Sequence, residues 1–174
     1  RQFDVDIDIE TNIAACIGTK EFVVSTPNYL HLRNPEKDTV LYPEISYPSY
    51  AMGAHLAGCR PVPVKVDKSG KLLLEDLDPN DIDRSLMLWV NYPSNPTGAV
   101  ADLTSIADWG RSHNVPIFSD ECYSQFVWGR KPSTVLSGGL SGVVAVHSLS
   151  KRSNLAGIRA GFYAGDEDLV FWLK

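Results

Sequence analysis

The chain has 174 residues, 44% of them hydrophobic, with 16 Lys and Arg against 21 Asp and Glu for a net charge of -5. That length suits one domain with a sizeable core, and the composition argues against disorder. An acidic balance without a run of Lys and Arg argues against a nucleic-acid surface, and no apolar run is long enough to cross a bilayer. Cys16, Cys59 and Cys122 are an odd number and far apart, so neither a disulfide framework nor a zinc site is suggested, and reduced thiols in a cytoplasm fit best. His31, His55 and His113 are scattered without ligand spacing, so no metal is expected.

Strand-length apolar runs alternate with amphipathic helix-length stretches, the pattern of a mostly parallel α/β sheet covered on both faces. Ile13 to Ile17 is predicted as a strand ending at Gly18, with a helix opening at Thr19. A strand, a glycine and a helix start form an anion site, because first-turn N–H groups lack helical partners and the dipole favours negative charge. Gly18, Thr19 and Lys20 are therefore assigned to a phosphate, with an ordinary capped helix as the alternative. Asp38 to Pro43 is predicted as the second strand, followed by a helix through Gly58. Between them, Tyr47, held by Pro48, is placed to stack on a flat pyridine-like ring, whereas Tyr42 and Tyr50 read as packing tyrosines. Arg60 to Val66 alternates like a strand, and its prolines suggest an edge.

Ser85 to Val90 is a buried strand running into Asn91-Tyr92-Pro93-Ser94-Asn95-Pro96-Thr97-Gly98, where two Pro and two Asn force the backbone out of the sheet and aim Asn95 into a cleft. Asp102 caps a helix through Asn114. Val115 to Tyr123 is an apolar strand ending in acids, and a carboxylate there needs a cationic partner such as a protonated ring nitrogen. Asp120 is the candidate; Glu121 reads as structural and Cys122 as a small buried packer. Val143 to His147 is a strand delivering Ser148 to Lys151, with His147 open between packing and catalysis. Ile158 to Ala164 is predicted as another strand, and Gly165-Asp166 turns into a final helix.

The stretch Ser148 to Gly161 puts Lys151 between two serines and follows it eight residues later with Arg159. A lysine amine forms a Schiff base with an aldehyde once deprotonated, and cationic neighbours and burial both lower its pKa. Arg159 can grip a phosphate through paired charge-assisted hydrogen bonds, and Ser148 and Ser150 add donors. A solvated Lys-Arg loop is the bland alternative. The five positions Gly18, Tyr47, Asn95, Asp120 and Lys151 all fall at predicted carboxyl ends of strands, where open α/β sheets bind ligands.

Residue by residue, this stretch resembles the lysine signature of fold-type I pyridoxal-phosphate-dependent aminotransferases, the aspartate aminotransferase superfamily, and the order and spacing of the other motifs match over essentially the whole chain. The wording of Cys16 to Phe22, Ser46 to Arg60, Asn91 to Gly98 and Ser148 to Phe162 is most similar to bacterial N-succinyldiaminopimelate aminotransferases of lysine biosynthesis. The resemblance implies a three-layer αβα major domain with a seven-stranded, mostly parallel sheet, and pyridoxal 5'-phosphate as cofactor. Lys151 would carry the Schiff base and shuttle the proton, Asp120 would pair the pyridinium nitrogen, and Asn95 and Tyr123 would bind the phenolic oxygen. It further implies ping-pong transfer of an amino group from glutamate to a 2-oxo acid, and a homodimer with its sites at the interface. On this reading, residues 1–174 are a fragment that lacks an amino-terminal segment and a carboxyl-terminal small domain carrying the arginine for the substrate carboxylate. The alternatives are a C–S lyase of the same fold and a cofactor-sensing domain of a transcription regulator.

Overall fold

The computed structural model describes residues 3–129 and 131–174. Seven strands form one sheet: β1 (Ile13–Cys16), β2 (Thr39–Pro43), β3 (Arg60–Val64), β4 (Ser85–Val90), β5 (Ile117–Asp120), β6 (Val143–Ser148) and β7 (Gly161–Gly165). Their spatial order is β1-β7-β6-β5-β4-β2-β3. The pairs β2–β3, β2–β4, β4–β5 and β5–β6 are parallel, and β7 runs antiparallel to both β6 and β1. Only β7 is reversed, so the carboxyl ends of the other six strands share one edge of the sheet. Pro61 and Pro63 sit on β3 at the border, where a missing N–H leaves no inner ladder bond unmade.

The helices are α1 (Thr19–Arg33), α2 (Ser49–Leu56), α3 (Pro79–Asp83), α4 (Leu103–His113), α5 (Leu149–Arg152) and α6 (Glu167–Leu173). All six residues of β4 and of β6 are buried, as strands covered on both faces require. Along β6, Val144 and Val146 join Phe22, Tyr50 and Leu169 in one core, whereas Val143 and Ala145 join Leu103 and Ile106 in the other. Successive residues of a strand face opposite ways, so α1, α2 and α6 cover one side and α4 the other, which makes three layers. Gly53 lets α1 and α2 meet at backbone distance, since a Cβ there would lie 2.9 Å from the Val24 carbonyl oxygen. Asp102 caps α4 by accepting from Thr104 N and Ser105 N, and Asn114 closes it in the left-handed region at φ 54.

Three expectations are corrected. The strand foreseen from Val115 to Tyr123 covers only Ile117–Asp120, because the chain turns immediately after the buried acid. The one foreseen from Arg60 to Val66 stops at Val64. Ile158 lies outside β7: Ala156–Ile158 is a 3-10 turn, and Arg159 adopts φ 56, which no strand residue does. Among the described residues, no helix is long and apolar enough to cross a membrane.

Candidate active site

At the shared carboxyl edge lies a cavity of about 510 Å³. It gathers residues from five separate strand ends: Thr19 and Lys20 follow β1, Tyr47 follows β2, Asn95 follows β4, Asp120 and Tyr123 close β5, and Ser148, Ser150, Lys151 and Arg159 follow β6. Thus every candidate residue except Gly18 lines one space. Tyr47 stands four residues beyond the end of β2, in the turn into α2, rather than at the strand terminus itself.

Asp120 ends β5 and is buried. Its Oδ2 accepts a hydrogen bond from the Tyr50 hydroxyl at 3.0 Å, and its Oδ1 accepts from the Cys122 backbone N–H at 3.2 Å. Burial raises its pKa, against the opposing pull of those hydrogen bonds and of His147. Neither direct partner carries a charge, and none of the ion pairs among the described residues involves Asp120. A cationic ring nitrogen in the cavity would therefore meet a buried carboxylate held in place and short of a counter-charge. The Tyr50 phenol is pushed well above its usual pKa by burial and by Asp120, so it stays a donor.

The packing role expected for Tyr50 is thus half of what it does: it stacks on Trp89 and also fixes Asp120. Asn91 is a second residue whose part the sequence left open. Its Nδ2 donates to the Asp120 carbonyl at 2.7 Å and its Oδ1 accepts from Asn95 N at 2.9 Å, so one buried side chain sets the relation between the two candidate ring contacts. Tyr50 lies three residues past Tyr47, and Asn91 directly follows an apolar strand; both signals were legible but neither names a partner.

The same cavity is also lined by cations, Lys20, Lys151 and Arg159. Gly18 precedes α1 with φ 75 and, having no side chain, offers that helix start no cap of its own. Gly18 does not line the cavity; a Cβ on it would lie 2.2 Å from Arg159 Nη2. Its place is to let the guanidinium lie across the start of α1. Arg159 Nη1 donates to the Ala156 carbonyl at 3.1 Å and Nη2 donates to Glu21 Oε2 at 2.9 Å. Ser148 caps α5 by accepting from Ser150 N at 3.1 Å, which leaves its hydroxyl proton to donate into the cavity. Lys151 is exposed on α5 and takes part in none of the ion pairs among the described residues. The donor set, an amine outside any ion pair among the described residues, a guanidinium and a helix start that line one cavity with a buried carboxylate, fits a phosphorylated aldehyde on a nitrogen heteroaromatic ring.

The neighbouring residues are structural. Glu121 is buried, accepts from Thr134 Oγ1 at 3.1 Å and Val135 N at 2.7 Å, and stands 3.2 Å from His147 Nε2. His147 is itself buried and stacks on Phe162, which assigns it to packing and to Glu121. The Cys122 thiol is pushed up first by burial, then by Asp120, and shares a 3.6 Å hydrogen bond with Thr19 Oγ1, so it is no nucleophile at neutral pH. Among the described residues, no group of three or more His, Cys, Asp or Glu could hold a metal ion.

Comparison with known proteins accords with this geometry. The LL-diaminopimelate aminotransferase of Aquifex aeolicus is 39% identical over 181 residues, covering 98% of this chain and 45% of that protein. The 4-dedimethylamino-4-oxo-anhydrotetracycline transaminase OxyQ of Streptomyces rimosus is 38% identical, covering 98% and 46%. Among solved structures, substrate-bound BacF of Bacillus subtilis superposes with a TM-score of 0.93 at 28% identity, over 99% of this chain and 45% of its own. A probable N-succinyldiaminopimelate aminotransferase of Thermus thermophilus gives 0.89 at 32%, over 97% and 46%. The chain therefore spans under half the length of the relatives it matches. Residues 3–174 match the family described as aminotransferase class I and II, and the chain belongs to that family.

Proposed function

We propose that the polypeptide is a pyridoxal-phosphate-dependent aminotransferase and that residues 1–174 form its cofactor-binding major domain. The observation that carries this reading is Asp120: a buried carboxylate, held by neutral donors only, that lines one cavity with Lys151 and Arg159. Pyridoxal phosphate, when bound, supplies an aldehyde for the lysine and a protonated ring that draws electrons from the substrate carbon. Lys151 would take that aldehyde on its amine, and the same amine would move a proton at the substrate carbon. Asp120 would pair the ring nitrogen, with Tyr50 fixing its carboxylate. Asn95, set by Asn91, and Tyr123 would donate to the phenolic oxygen, and Tyr47 would cover the ring. Arg159, Ser148, Ser150 and the start of α1 at Thr19 and Lys20 would hold the phosphate, with Gly18 making room for Arg159.

The substrates we propose are small amino acids and 2-oxo acids of the diaminopimelate class, with glutamate as amino donor. Support comes from relatives named LL-diaminopimelate aminotransferase and from the Thermus neighbour named for N-succinyldiaminopimelate. The same reading makes the protein a cytoplasmic homodimer, in keeping with three free cysteines. The test is a single-turnover assay on the full polypeptide loaded with pyridoxal phosphate. Glutamate, LL-diaminopimelate or its N-succinyl derivative should convert the bound chromophore without any acceptor, and Lys151→Ala should abolish conversion while retaining measurable cofactor binding. Elimination from cystathionine with no amino transfer, or conversion retained by Lys151→Ala, would overturn it.

A further inference from the structure

On the reading that Arg159 grips the cofactor phosphate, we propose that Glu21 is a built-in competitor for that guanidinium, which limits how tightly phosphorylated ligands are held. Glu21 stands in the first turn of α1 and lines the same cavity as Arg159, with its Oε2 on Nη2 at 2.9 Å. A carboxylate in that position already engages the donors a phosphate would use: the guanidinium and a backbone N–H of the first helical turn. Two like charges on one set of donors repel, and the phosphate must share Nη2 or displace the carboxylate from it.

The alternative role, holding Arg159 in its pose, is already filled by backbone. Nη1 donates to the Ala156 carbonyl at 3.1 Å, and the guanidinium lies against Gly18, whose absent Cβ would sit 2.7 Å from Cζ. The Glu21–Arg159 pair is also largely open to water, at 62% and 41% side-chain exposure, so as a clamp it is weak. Its charge persists nonetheless: a backbone hydrogen bond first, then the hydrogen bond from Arg159, lowers the Glu21 pKa, and the carboxylate is ionised at neutral pH. What Glu21 contributes to the cavity is therefore a negative charge rather than a constraint.

The experiment is a binding titration of the full polypeptide and its Glu21→Gln variant with inorganic phosphate and with pyridoxal phosphate at low salt. Arg159→Gln and unphosphorylated pyridoxal serve as controls. Glu21→Gln should bind both phosphorylated probes about two- to fivefold more tightly, the range of one exposed charge pair, and the gain should shrink as salt rises. Pyridoxal should bind both proteins alike. Equal or weaker phosphate binding by Glu21→Gln, with Arg159→Gln still impaired, would overturn this inference and leave the site reading intact. If Arg159→Gln bound phosphate as well as the parent, the site reading would fall and this inference with it.

Discussion

Replacing Tyr50 with Phe removes one oxygen from a fully buried ring and nothing else. The ring keeps its stack on Trp89, with centroids 5.4 Å apart, and its edge contact with Tyr47 at 6.2 Å. What disappears is the 3.0 Å hydrogen bond to Asp120 Oδ2. A hydrogen bond to a charged group contributes about 1.5–3 kcal/mol. The ionised form of Asp120 weakens by that amount, and with it the partner of the ring nitrogen. Carried into the transition state, this is a loss of roughly ten- to hundredfold in kcat/KM. The assay is the amino-donor half-reaction on the full polypeptide, followed by chromophore absorbance across pH. The acid limb of the profile should move to higher pH, because Asp120 now ionises less readily. A variant within twofold of the parent, with an unmoved profile, would refute the claim that Tyr50 fixes Asp120.

Gly18→Ala should act on the cationic lining of the cavity. A side chain at φ 75 and ψ 145, a region held almost only by glycine, costs about 1–3 kcal/mol, and its Cβ, 2.2 Å from Nη2, would turn Arg159 aside. Phosphate affinity should fall about tenfold or more as charge-assisted bonds are lost, and unchanged affinity in a titration would count against this placement of Arg159. Asp120 also gives a pH dependence of stability. Burial raises its folded-state pKa, so its contribution is fully present below the unfolded value and is lost as pH rises through the folded one. Urea unfolding of the cofactor-free protein should therefore show stability falling with pH over that window. Asp120→Asn should flatten the fall, and saturating pyridoxal phosphate should offset it by pairing the ionised carboxylate. Identical slopes in all three would contradict a buried, uncompensated Asp120.

Much of this was legible in the sequence because the signals are local. Runs such as Leu86 to Val90 and Val143 to Val146 read as strands covered on both faces, and Asp102 read as the cap of α4, where it accepts from Thr104 N, Ser105 N and Ser105 Oγ. An acid after such a run, as at Asp120, has to be explained by a partner. What stayed hidden depends on residues distant in the chain. Tyr50 and Asp120 are 70 positions apart, and a packing tyrosine and a hydrogen-bonding one look alike until the partner is placed. Glu121 was legible as structural, but its anchors Thr134 and Val135 return from a loop that no periodicity marks. Ile158 misled by chemistry: an apolar β-branched residue beside Arg159 reads as strand, yet it is 59% exposed in a 3-10 turn. That turn is what allows Arg159 to point back across Gly18, so the departure from the strand pattern belongs to the proposed anion site.

We propose that Lys151 takes the cofactor's aldehyde. Borohydride reduction of the full polypeptide with pyridoxal phosphate, followed by peptide mass mapping, tests that assignment. One cofactor mass is expected on the peptide carrying Lys151, with none on the peptide carrying Lys20, and it should vanish in Lys151→Ala. A stoichiometric adduct on Lys20, or no adduct in protein that binds the cofactor, would contradict the account.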